Sequence, residues 1–156
     1  MNKSVRIIIP KSPSYDDDSY GWAMAQAELL REGRFDEIDL KNIIEEIECV
    51  GNRERNEYES QLTRILAHMI KWEVQPQRRG MSWWLSIMNG RDEAEICLQK
   101  NPSVKPHLDT IYNNALKYAR RLAERETGLP KEAIDAVEIS YTDAISREIP
   151  RPEGEA

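Results

Sequence analysis

Apolar residues along the chain recur at intervals of three and four rather than alternating, and that period predicts helices. The first is expected after the acidic run Asp16-Asp17-Asp18, where an aspartate can cap a helix and meet its positive dipole end; it runs to about Arg31 and stops at Gly33. Trp22, Ala23, Ala27, Leu29 and Leu30 share one side of it, with Gln26 among them. Asp39 is the next cap, and Leu40, Ile43, Ile44 and Ile47 form the stripe of a second helix that weakens at Gly51-Asn52. A third starts there, with Tyr58, Leu62, Ile65, Leu66, Met69 and Trp72 on one face, and Pro76 ends it. After the loop from Gln75 to Gly80, Ser82 is expected to cap a fourth helix whose apolar face is Trp83, Ile87, Ala94 and Leu98. Gly90 on that face implies close backbone approach or a kink.

The fifth helix carries Val104, Leu108, Ile111, Tyr112, Ala115, Ala119 and Leu122 and stops at Gly128-Leu129-Pro130. Beyond it, Lys131 to Val137 reads as a short helix, and Thr142 could cap one further turn. The fold class expected is therefore all-α: a compact antiparallel bundle of about five main helices with short helical turns at the C-terminus. Residues 1–14, with Val5 to Ile9 followed by Pro10 and Pro13, read as an extended arm; 15–149 as one domain; 150–156 as a flexible tail.

Composition narrows the class of molecule. A chain of 156 residues that is 40% hydrophobic and 32% charged fits one globular domain with a charged surface. The apolar run Val5 to Ile9 is far too short for a membrane span or signal core, and two cysteines 48 positions apart make neither a disulfide framework nor a metal pair, which points to the cytoplasm. No metal and no cofactor is expected. The seven glycines are too dispersed for a phosphate-cradling loop, and His68 and His107 lack the spacing of a helical di-iron site. These absences lower the expectation of an enzyme and leave the class open, because catalytic groups can converge from distant segments.

Charge is uneven in a way that singles out the middle. Residues 1–59 hold 8 bases against 14 acids, 93–156 hold 9 against 12, but 60–92 hold 5 against 2, with three of the four tryptophans. Arg64, His68, Lys71 and Gln75 recur as a polar stripe, and Arg78-Arg79 precede a helix N-terminus, a place where an anion would be stabilised. His68, Lys71, Arg78, Arg79 and Trp83 are thus candidate residues for binding an anion or other ligand. The competing reading, which we prefer, is that Glu45 and Glu46 on the neighbouring helix neutralise the cations and make the cluster architecture; Gln26 joins them as a network partner bonded to backbone. Lys117, Arg120, Arg121 and Arg125 read as a solvated face interleaved with Glu124 and Glu126.

The motifs also resemble a family. Tyr20-Gly21-Trp22, Gln26-Ala27, Leu29-Leu30-Arg31, Asp39-Leu40, Asn42, Glu45-Glu46-Ile47-Glu48 and Gly51 resemble the opening of a bacterial family of domains of unknown function, numbered 29. Leu66, His68, Lys71-Trp72, Gln75-Pro76, Arg78-Arg79 and Ser82-Trp83 look like its central motif, and Arg120, Ala123 and Tyr141-Thr142 agree more loosely. The resemblance covers roughly Tyr15 to Pro150 and implies a small, all-helical bacterial protein; it brings no activity with it. Gln26, Glu45, Glu46, His68, Lys71, Arg78, Arg79 and Trp83 all belong to the shared motif.

Three functions follow in order of preference. The first is a non-enzymatic binding or adaptor module with a protein partner or a second copy of itself, a homodimer joined by helix faces or the arm. The second is an enzyme or ligand-binding protein for a small carboxylate or phosphate, with His68 as acid/base and Arg78-Arg79 as clamp. Nucleic-acid association through the basic middle ranks last, because the chain carries a net charge of -6. A membrane partner is not expected.

Overall fold

The structure, a computed structural model, describes residues 13–153. Most of the expected N-terminal arm and the end of the expected tail lie outside the described residues. The described residues are all helix, turn and loop with no strand, and they form two compact units divided in sequence between Val50 and Gly51.

In the first unit, α1 spans Ser19–Arg31 and is capped by Asp18, whose carboxylate accepts the Gly21 N–H at 2.8 Å. Gly33, at φ +71°, follows its end, as the sequence implies. α2 spans Leu40–Val74. Here the structure departs from expectation: one helix of 35 residues replaces two, and it passes through Gly51-Asn52 without a break. An interior glycine costs a helix only about 1 kcal/mol relative to alanine and leaves every backbone bond in place, so good helix formers on either side carry the helix through. The expected burial of the flanking apolar stripes fails as well. On α1 only Trp22 and Gln26 are buried, and on the first part of α2 Leu40, Ile44, Ile47 and Val50 are exposed.

The second unit holds most of the core. The later turns of α2 contribute Tyr58, Leu62, Ile65, Leu66, Met69 and Ile70; α3 (Met81–Lys100) adds Ile87 and Ala94; α4 (Leu108–Thr127) adds Ile111, Ala115, Ala119 and Ala123. A row of alanines every four residues lets α4 lie close to its neighbours. Gly90 of α3 approaches closer still: a Cβ there would lie 2.7 Å from Ile65 Cγ1, which accounts for a glycine on an apolar face.

Helix ends differ from expectation in three places. Gly80, not Ser82, is the residue before α3, and no side chain caps it. Val104 is buried but sits in a 3-10 turn over Pro102–His107, because Pro102 and Pro106 deny that segment two backbone donors; α4 starts only at Leu108. The last helix, α6 (Tyr141–Ser146), is capped by Ser140 rather than Thr142: the Ser140 hydroxyl accepts from Asp143 N–H while Asp143 accepts from Ser140 N–H, a reciprocal box that a serine three residues before an aspartate makes available. α5 is a short helix, Lys131–Asp135.

Candidate functional site

The motif residues of the first unit form a latch between α1 and the start of α2. Trp22 donates its indole N–H to Asp39 at 3.1 Å, and the buried Gln26 accepts the Asp39 backbone N–H at 2.7 Å. Asp39 in turn accepts from the Asn42 side chain at 2.7 Å. Those bonds, the Asn42 side chain foremost, hold the Asp39 carboxyl below the usual carboxylate range. Gly21 is required beside this latch, since a Cβ would fall 2.3 Å from the Asp18 carboxylate that caps α1. Tyr15 stacks edge-on against Trp22 and donates its hydroxyl to Glu46 at 2.5 Å, which pushes the phenol up to about 12. Glu45 lies 4.0 Å from Lys41, one turn earlier. The two glutamates thus have partners within the first unit, Lys41 one turn away and Tyr15 31 positions earlier, and they lie on the same helix as Lys71 rather than on a neighbouring one.

Two cations of the middle segment find other acids. Lys71, buried on α2, donates to Glu126 near the end of α4 at 2.5 Å and lies 5.1 Å above the Trp83 ring of α3, so one ammonium ties three helices together. Arg79 donates Nε to the Trp72 carbonyl at 2.8 Å, lies over the Trp72 ring at 5.4 Å and reaches Glu73 at 3.7 Å. Glu73 also receives Arg147 at 3.3 Å, which is itself 3.1 Å from Asp143. His68 donates Nδ1–H to the Arg64 carbonyl at 2.9 Å, so the neutral ring is the Nδ1–H tautomer. Burial, with Lys71 and Arg64 nearby, pushes its pKa down. Arg78 is exposed in the 3-10 turn Pro76–Arg78.

The structure therefore brings His68, Lys71 and Trp83 together, holds Arg79 on the end of α2, and leaves Arg78 in solvent. It joins none of them to Glu45 or Glu46 by an ion pair among the described residues. Glu126, Glu73 and Arg147 complete the network and were not apparent in sequence, because periodicity along one helix does not say which distant acid arrives beside it. Arg120 of α4, expected on a solvated face interleaved with Glu124 and Glu126, lies 3.7 Å from Asp135. A neutral histidine facing its own helix backbone and a lysine closed by a carboxylate can hold helices in register. Closed in this way, the lysine is not an open clamp for an anion. Among the described residues no three His, Cys, Asp or Glu side chains gather as a metal ion would need, and no helix is long and apolar enough to cross a membrane.

One further group escaped the sequence reading. Arg91 falls on the apolar stripe of α3, between Ile87 and Ala94, and a lone arginine there was the signal available. It donates Nε to the Ala144 carbonyl at 2.8 Å and Nη2 to that of Asp143 at 3.2 Å.

Among known proteins, residues 14–148 match the family model for the domain of unknown function DUF29. No curated protein and no solved structure matches the chain. The matched span is most of the chain, and the chain belongs to that family.

Proposed function

We propose that this chain, which belongs to the DUF29 family, is a non-enzymatic binding module of the bacterial cytoplasm whose first unit pairs with a second copy of itself. The observation that carries the reading is the apolar stripe on the early turns of α2, where Leu40 is 58% exposed, Ile44 47%, Ile47 66% and Val50 57%. Of the eleven large hydrophobic residues exposed among the described residues, eight lie in the first unit, about a third of the chain. Such a concentration exceeds the scattered apolar residues of an ordinary surface and marks an interaction face.

Charge says which occupant fits. Leu40, Ile44 and Ile47 follow one another at four and three residues, so they form a seam along one side of the helix, and Lys41 and Glu48 lie together on one flank of it. Two such seams packed antiparallel about a two-fold axis set Lys41 of each copy beside Glu48 of the other, twice over. A stable contact of this type needs about 800 Å² from each partner, which Met24, Leu30 and Phe35, all exposed in the same unit, can extend toward. The ligand-site alternative has less support, since Lys71 and Arg79 already have carboxylate partners.

Sedimentation equilibrium of the wild type and Ile47→Asp tests the proposal. The wild type is expected to sediment as a dimer at micromolar concentration, and Ile47→Asp as a monomer with unchanged helicity by circular dichroism. A wild type that stays monomeric, or a variant that dimerises as tightly, overturns it.

A further inference from the structure

Between α2, α3 and α6 lies a cavity of about 330 Å³, at the small end of the range that holds organic ligands. Tyr141, Arg91, Lys105, Glu95 and Gln99 supply its polar wall, Ala94, Leu98 and Ile145 much of its apolar one, and the fully buried Tyr58 borders it.

The hydroxyls of Tyr58 and Tyr141 lie 2.7 Å apart, so one donates to the other. Tyr58 is completely buried, and Tyr141 is its hydroxyl's only partner among the described residues. Were Tyr141 the donor, the Tyr58 hydrogen would be buried without an acceptor, which is unfavourable. Tyr58 is therefore the donor, and the Tyr141 O–H is left over in the cavity wall. Burial and this neighbour also push the Tyr58 phenol far up, so it stays protonated.

Arg91 adds a second free donor. Its Nε and Nη2 are spent on the last carbonyls of α6, no carboxylate among the described residues lies within 4.0 Å of it, and Nη1 is without a hydrogen-bond partner. Lys105 contributes a second positive charge and Glu95, also on the wall, one negative charge, so the cavity carries a surplus of one positive charge. One surplus charge suits a monoanion better than a dianion, and the apolar wall calls for a hydrocarbon body.

We propose that this cavity binds a small organic monocarboxylate with an aliphatic or aryl body, its carboxylate taking the Tyr141 O–H, Arg91 Nη1 and the Lys105 ammonium. The apolar body lies against Ala94, Leu98 and Ile145. This site is separate from the α2 seam and stands whether or not the chain dimerises.

Octanoate and phenylacetate are the probes, with octanol, 2-phenylethanol and inorganic phosphate as controls, measured by saturation-transfer NMR and calorimetry on the full chain. At least one acid is expected to bind saturably, ahead of the alcohols and phosphate. The two tyrosines separate a binding role from a packing one. Tyr141→Phe removes the donor and weakens binding about tenfold or more, whereas Tyr58→Phe leaves the Tyr141 O–H in place and changes it less than about twofold. Lys105→Gln, a surface change with no bearing on folding, weakens binding and flattens its salt dependence. No saturable binding by either acid, equal binding of the alcohols, or equal loss in the two tyrosine variants overturns the proposal.

Discussion

Lys71 ties α2 to α3 and α4 through one buried ammonium. Its ammonium is out of water, held by Glu126 and the Trp83 face, so what matters is whether it keeps a partner. Removing one member of a fully buried pair costs about 3–5 kcal/mol, but the Glu126 side chain is 43% exposed and water can partly replace it, so Glu126→Ala should cost about 1–2 kcal/mol. Lys71→Met keeps the volume and removes the charge that needs neutralising, and should cost less than Glu126→Ala. Paired urea melts decide between this order and its reverse. Both residues illustrate what a sequence does and does not disclose. Lys71 stands out in a basic stretch with tryptophans, yet its acid lies 55 positions away on another helix, and only the fold makes them neighbours. Glu45 and Glu46, the nearer choice in sequence, have Lys41 and Tyr15 beside them instead.

At the scale of elements, two glycines that look alike in sequence predict opposite outcomes. Gly51 lies within α2 with nothing inside 4 Å of where a Cβ would stand, so Gly51→Ala should stabilise by about 0.5–1 kcal/mol, the ordinary gain of alanine over glycine in a helix. Gly90→Ala would drive a methyl to within 2.7 Å of Ile65 and should destabilise by about 1–3 kcal/mol. Thermal melts of the two variants measure both signs, and a Gly51→Ala that destabilises would contradict a continuous α2. The period of the apolar residues located every long helix, because a 3.6-residue repeat survives in any sequence that buries one face. It misplaced the ends wherever a competing local feature governs them: a tolerated glycine in α2, two prolines before α4, a serine–aspartate box before α6.

Helix ends also set the response to acid. The Ser140 bonds and Arg147 hold Asp143 at about 2 against an ordinary 3.8, so the folded state prefers the ionised carboxylate. The resulting stabilisation is complete above the unfolded value and is lost as pH falls from 3.8 through about 2. Asp39, lowered in the same direction, loosens the α1–α2 latch on the same side. Circular dichroism across that window should show helix loss, and Asp143→Asn should display the Asp143 part of it already at neutral pH and lose less than the wild type on acidification.

For the molecule as a whole, the division of labour is between polar groups that close on one another and apolar groups that do not. Two of the central cations, Lys71 and Arg79, are paired and stacked within the second unit, while the first unit buries Trp22 and Gln26 and leaves most of its large apolar residues outside. Lys41→Glu and Glu48→Lys should each weaken self-association several-fold, and the double swap should restore it, since the antiparallel seam exchanges the two charges with their positions. A parallel pairing would show no such rescue.

The mass of the intact protein, taken gently from its host into native mass spectrometry, tests the central claim most directly. Twice the chain mass, with Arg78→Ala leaving that mass unchanged, is the result expected. A monomer carrying a small anion that Arg78→Ala releases would contradict it.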